Sequence, residues 1–215
     1  MTPPTDTPRT IPLIGTAIRS FSPGRDKPPK LIGEIGCLEV GNWRDQPYIP
    51  EIKLDSLMTQ EVVKLWIKQF TRDESISLAD QTYLKPAYIF ENLRKTLAAL
   101  ILSGKERAIV HFCRQRDSDY KLPISRQDLV GIADLAGSSF YFHQFKFIAP
   151  KIEEGMPVSI SMNHILPIRQ RELIGGGTFS EVSKIQIDEH QDGITAKRTS
   201  RESVGRQDLT EPSSY

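Results

Sequence analysis

Little in this sequence leans one way. Its 28 Lys and Arg are matched by 27 Asp and Glu, for a formal net charge of +1 over 215 residues. That balance supplies no electrostatic pull toward nucleic acid or an acidic partner. Only two cysteines occur, Cys37 and Cys113. They are far apart and unpatterned, which reads as free, buried thiols in a reducing compartment. No apolar run approaches the roughly 20 residues of a membrane span, and the N-terminus has no apolar signal core. The expectation is an intracellular protein, cytoplasmic or nuclear, with no membrane and no nucleic-acid partner. The four histidines, His111, His143, His164 and His190, share no metal-ligand spacing with one another or with the cysteines, which argues against zinc. His111 and Cys113 stand two apart on an expected helix and face different ways, so they do not form a nucleophile pair. No internal repeat is present.

What is there divides the chain into four parts. Residues 1–30 hold seven of the 15 prolines among Thr, Ser, Arg and Gly, a composition that cannot bury enough apolar surface and is expected to be disordered. Residues 31–160 form a helical region. Its first stretch, 31–55, is broken by Gly36, Gly41, Pro47 and Pro50 and is expected to dock as an irregular segment. Thr59 then caps a helix with Val62, Val63, Trp66, Ile67 and Phe70 on one stripe. Pro86 opens the next, with Ile89, Phe90, Leu93, Leu97, Leu100 and Ile101 on one face and Gly104 as its C-cap. Lys105 to Gln115 forms a short helix. Ser125-Arg126-Gln127-Asp128 resembles a capping box, opening a helix that carries Leu129, Ile132 and Leu135 and ends at Gly137. Ser138 or Ser139 caps a last helix bearing Phe140, Phe142, Phe145 and Phe147, which Pro150 stops. The tail 199–215 is polar and expected to be disordered.

The remaining part, 161–198, carries the chemistry. Ile174-Gly175-Gly176-Gly177-Thr178-Phe179-Ser180-Glu181-Val182 is a glycine-rich turn. Ile168 to Ile174 mixes apolar and charged residues before it, and Val182 to Ile187 alternates with period two after it, so the segment reads as a β-hairpin. Asp188 to Gly193 is a turn, and Ile194-Thr195-Ala196-Lys197 a third strand. Glycine lacks a Cβ, so such a turn lets the backbone approach phosphates and present its N–H groups to them.

This stretch resembles the protein-kinase loop G-x-G-x-x-G-x-V, with Gly175 and Gly177 at the first two glycines, Ser180 at the third and Val182 at the valine. The resemblance implies that Val182 packs on adenine, that Phe179 shields the phosphates and that Lys197, in a loose V-A-I-K strand, holds the α- and β-phosphates of ATP. Two upstream elements extend it. Gln144-Phe145-Lys146-Phe147-Ile148-Ala149-Pro150-Lys151-Ile152 is similar to the Q-W-x-F-x-A-P-V-F stretch of a family of fungal serine/threonine kinases, with Phe145 in the Trp position. Ile165-Leu166-Pro167-Ile168 is similar to that family's I-L-P-F lead into the first kinase strand. The fold so implied is mainly α with a small antiparallel β element: a helical N-terminal region followed by an incomplete kinase small lobe of about three strands, the third an uncovered edge. H-R-D and D-F-G motifs do not occur, so no catalytic residue or magnesium ligand is assigned. The expected function is that of a kinase fragment with an ATP-binding loop of weak affinity. The alternative is a helical module that binds a protein partner, with the kinase strands as a vestige.

Overall fold

A computed structural model describes residues 31–73, 76–132, 135–153, 163–177 and 180–194. The expected disorder of 1–30 and 199–215 therefore lies outside the described residues, as does the expected strand from Thr195 to Lys197.

The described chain is mainly helical with two small antiparallel sheets. In order it runs α1 (Leu31–Gly36), β1 (Val40–Gly41), β2 (Pro47–Tyr48), α2 (Glu51–Leu57), α3 (Gln60–Asp73), α4 (Leu78–Gln81), α5 (Pro86–Asn92) and α6 (Arg94–Ser103). Then come α7 (Ile109–Gln115), α8 (Arg126–Val130), α9 (Phe140–His143), β3 (Ile168–Gly177) and β4 (Ser180–Ile187). Short 3-10 turns lie at Glu106–Ala108, Asp119–Lys121 and Gln144–Phe147.

Local sequence accounts for several helix ends. The Thr59 hydroxyl accepts from the Val62 amide at 3.3 Å, satisfying an orphan donor at the start of α3. The expected stripe of α3 is buried, with Trp66 and Phe70 stacked at 4.6 Å between ring centroids. Ser125 accepts from the Asp128 amide at 3.1 Å and donates to its carboxylate at 2.7 Å. Gly104 caps α6 at a left-handed φ of 62°, where a side chain would be strained. The middle of α6, Thr96 to Ile101, is buried all round, as a central helix must be.

Four expectations are corrected. The helix opened by Pro86 does not continue through Leu93, which takes φ −129° and ψ 22° and divides α5 from α6. Asp119, distant in sequence, enters at this break. Its carboxylate accepts from the amides of Lys95 and Thr96 at 2.8 and 2.9 Å and from the Thr96 hydroxyl at 2.7 Å. The break thus exposes helix N-terminal donors to a tertiary cap. Second, α8 stops at Gly131, a poor helix former, and Gly137 instead takes a left-handed φ of 71° ahead of α9. Third, Phe142 is turned out to solvent while Phe140, Phe145 and Phe147 are buried, because α9 is one turn long and residues two apart on it face apart.

Fourth, residues 31–55 are not irregular. They form α1, the β1–β2 ladder (Val40 opposite Tyr48, Gly41 opposite Pro47) and the start of α2. Leu31, Ile35, Ile49 and Leu54 join the main hydrophobic core. The prolines punctuate these elements: Pro47 begins β2 and Pro50 precedes α2. Of the two thiols expected to be buried, Cys113 is, whereas Cys37, in the turn just after α1, is exposed. A smaller core of Val40, Tyr48, Phe145 and Ile165 brings together β2, the 3-10 turn at Gln144 and the segment leading into β3.

Candidate functional site

β3 and β4 form a long hairpin. Its register pairs Ile168 with Ile187, Arg171 with Ile185, Glu172 with Lys184 and Leu173 with Ser183, and it ends on Gly175 with Val182, Gly176 with Glu181 and Gly177 with Ser180. The residues between that last pair, Thr178 and Phe179, lie outside the described residues. Shifts in register fall between Ile168 and Gln170 and between Leu173 and Gly175. At the second, β3 advances two residues while β4 advances one, which is the signature of a β-bulge.

The bulge decides which residues share a face. Leu173 stands with Ser183, and alternation carries Ile174 to the opposite face, the face of Val182 and Lys184. Ile174 and Val182 are 62 % and 56 % exposed, so two apolar side chains flank the start of the glycine run with nothing of the described chain covering them. The other face carries Arg171, Glu181 and Ser183, joined by Arg171 at 2.9 Å to the Glu181 carboxylate and 3.0 Å to the Ser183 hydroxyl. Glu181 is thereby engaged away from the face of Val182.

Gly175 is not explained by the chain's own packing. It does not take a left-handed φ, and a Cβ built on it meets no atom within 4 Å. Gly193 is the contrast: a Cβ there comes within 2.8 Å of the Glu153 side chain and 3.1 Å of the Ile152 carbonyl. A glycine in a strand costs about 0.5–1 kcal/mol relative to alanine. At Gly193 close packing requires it; at Gly175 the space above the backbone is open.

Below the Val182 face lies a concavity of about 630 Å³ lined by Gln170, Glu172, Lys184, Gln186, Ile187, Glu189, Asp192 and Ile194, and also by Ile185 of the other face. Lys184 is a cation that sequence reasoning missed. Only the register, which sets it opposite Glu172, places it on this wall. Among the described lining residues, Glu172, Glu189 and Asp192 stand against that one cation, so this part of the wall disfavours polyphosphate. Among the described residues the glycine end carries no carboxylate on the Val182 face. Gly193 and Ile194 are helical, so the third strand expected from Ile194 does not begin there. Lys197 lies outside the described residues, and its position relative to the loop is not described.

The base of the hairpin is anchored. The Asp188 amide donates to the Pro167 carbonyl at 2.8 Å, the Ile152 amide to the Gln191 carbonyl at 2.9 Å and the Gly193 amide to the Ile152 carbonyl at 2.9 Å. Tyr48 is buried against this base. Among the described residues its hydroxyl has no hydrogen bond of ordinary geometry, although Asp188 and Arg169 both act on its titration. Burial first, and the Asp188 carboxylate second, push its pKa upward. Phe145 and Ile165 meet in the smaller core, His164 lies edge-on to Phe145 at 6.0 Å and Asn163 donates to the Tyr141 hydroxyl at 3.1 Å. The two upstream elements of the kinase resemblance therefore touch.

Among the described residues no group of three His, Cys, Asp or Glu is placed to hold a metal ion, and no helix is long and apolar enough to cross a membrane. Comparisons with family models, with curated proteins and with solved structures find no match to this chain.

Proposed function

We propose that residues 174–182 are the phosphate-covering loop of a protein-kinase small lobe, and that the chain is the N-terminal part of a kinase similar to the fungal serine/threonine family. The open backbone at Gly175, beside the exposed pair Ile174 and Val182, carries this reading. Open space over the Gly175 backbone lets a ligand come close to the main chain, and two apolar side chains on one face suit an adenine ring. ATP is the ligand, with the main chain of Gly175, Gly176, Gly177, Thr178, Phe179, Ser180 and Glu181 along the phosphates, the Glu181 carboxylate staying with Arg171, and Lys197 reaching the phosphates from the following segment. The reading assigns nucleotide binding to these residues and leaves phosphoryl transfer to groups they do not contain: a metal-binding aspartate and a catalytic loop. An intracellular setting, with Cys37 and Cys113 reduced, accompanies it.

Fluorescence titration with ATP tests the reading. Saturable binding that weakens about tenfold or more in Lys197→Met is expected, a loss of about 1.4 kcal/mol. Absence of saturable binding removes the nucleotide assignment.

A second reading rests on the helical region. Leu78, Val130 and Phe142, on three different helices, are 82 %, 70 % and 61 % exposed, and a protein partner that covered them would bury apolar area. Because Leu31, Ile35 and Ile49 belong to the main core, the fragment that tests this role is 31–153. A partner retained by the full chain and lost by that fragment argues against the helical region as the binding module.

A further inference from the structure

We propose that Trp43, set in place by Asn42, is a positioning residue for the glycine-rich hairpin, clasping it from the face opposite Ile174 and Val182. The inference rests on the nucleotide reading for its functional consequence and on the fold alone for the clasp.

The clasp begins in the turn between β1 and β2. Asn42 is buried, at 5 % exposure, and its side chain is saturated. Its Oδ1 accepts from the amides of Arg44 and Gln46, both at 2.9 Å. Its Nδ2 donates to the Gln46 side chain at 3.3 Å and to the Leu166 carbonyl at 3.2 Å. One side chain therefore shapes the turn and ties it to the segment entering β3. Trp43, next in the chain, donates its amide to the Ile168 carbonyl at 2.8 Å. Arg169 returns the contact by donating to the Gly41 carbonyl at 3.2 Å.

The indole extends this grip along the hairpin. The Arg171 guanidinium lies over the Trp43 ring at 5.0 Å from its centroid, and Arg44 lies over the same ring at 4.5 Å. Such contacts hold a guanidinium by attraction to the ring face. Arg171 in turn holds Ser183 and Glu181 on β4, the residues on either side of Val182. A continuous path thus runs from the buried Asn42 through Trp43 and Arg171 to the flanks of the side chain assigned to adenine. Trp43 lies on the Arg171 face, so it acts on a nucleotide at the other face only by setting where the hairpin stands.

Hydrogen exchange and ATP titration on the full chain test this together, in Trp43→Ala, Trp43→Phe and Arg171→Leu. Trp43→Ala and Arg171→Leu are expected to raise amide exchange in Ile168–Gly177 and Ser180–Ile187 about tenfold while α6 keeps wild-type protection. Trp43→Phe, which retains an aromatic face, is expected to stay near wild type. ATP affinity is expected to fall about fivefold in Trp43→Ala and to recover in Trp43→Phe. Unchanged hairpin exchange in both Trp43→Ala and Arg171→Leu overturns the clasp. If Trp43→Ala also loses protection in α6, the fold as a whole is disturbed and the exposed Arg171→Leu decides. A loosened hairpin with unchanged ATP affinity overturns the positioning role. A wild-type chain that binds no ATP but loosens as described overturns the nucleotide reading and upholds the clasp.

Discussion

Replacing Gly175 by alanine separates a glycine kept for the fold from one kept for a ligand. Position 175 has no left-handed φ, and a Cβ there has no atom within 4 Å, so the methyl group neither clashes nor fills a cavity. The remaining effect is on the unfolded chain, whose freedom alanine reduces. That stabilises a strand position by about 0.5–1 kcal/mol. For a cooperative unit of this size the gain is about 1–4 °C in Tm. The nucleotide side of the ledger has the opposite sign. A methyl group standing in the open space holds phosphate oxygens away from the loop amides. Loss of one hydrogen bond to a charged acceptor is about 1.5–3 kcal/mol, or roughly tenfold to a hundredfold in Kd. Thermal unfolding followed by circular dichroism and a fluorescence titration with ATP measure the two sides on one preparation. A Gly175→Ala chain that melts several degrees lower refutes the claim that packing does not need the glycine. One that melts at or above wild type and binds ATP equally well refutes the loop as a phosphate cradle.

Asp119→Ala leaves the Lys95 and Thr96 amides without their cap and is expected to lower stability by about 2–3 kcal/mol in denaturant titration. Burial holds the Asp119 carboxyl above its ordinary range against the opposing hydrogen bonds of Lys95 and Thr96. With its folded pKa raised, stabilisation tied to its protonation is present below the ordinary value of about 3.9 and is lost as pH rises through the raised value; Asp119→Ala should remove that decline. Tyr48→Phe deletes a buried hydroxyl without an ordinary hydrogen bond and is expected to be neutral or stabilising by up to about 1 kcal/mol; a clear loss would establish a bond to Asp188. With a disulfide reagent at pH 8, Cys37, which is exposed, reacts in the native chain. Burial pushes the Cys113 thiol up to about 12, so only roughly one in ten thousand is thiolate and it reacts after unfolding alone; two fast thiols per native chain would contradict this.

The parts of the fold legible in the sequence are those fixed by near neighbours. The stripe from Val62 to Phe70, the Thr59, Ser125 and Gly104 caps, and the hairpin around the glycines all follow from residues within a turn or a strand of one another. The break at Leu93 was not legible, because the carboxylate that stabilises it arrives from Asp119, beyond two further helical segments. Residues 31–55 read as irregular because their punctuating glycines and prolines are conspicuous, whereas the partners of Leu31, Ile35 and Ile49 are spread through the main core. In the candidate site, Ile174 and Val182 could be named from the motif. That Lys184 shares their face could not, since it depends on register and on one bulge. Trp43 carried no signal at all: its role depends on Ile168 and Arg171, far along the chain.

On the proposed reading, weak nucleotide affinity is what the build of this hairpin leads one to expect. A two-stranded ribbon is marginal in water without a core beneath it. Among the described residues nothing packs beneath the outer half, for Leu173, Ile174, Val182 and Ile185 are all exposed and the strand ends in three glycines. Its anchors are concentrated toward the base, at Trp43 with Ile168, Asp188 with Pro167 and Gly193 with Ile152. Stability therefore falls from base to tip, and the amides that the proposed reading gives to phosphate sit at the least stable end. A ligand that needs those amides in one arrangement binds with its intrinsic affinity divided by the population of that arrangement. Cover over Ile174 and Val182, whether from further chain or from the nucleotide's own ring, would raise that population. On the proposed reading, affinity is limited by the exposure of Ile174 and Val182 among the described residues rather than by Ser180 in place of the third glycine, and Ser180→Gly, which adds freedom without cover, should weaken ATP binding rather than strengthen it.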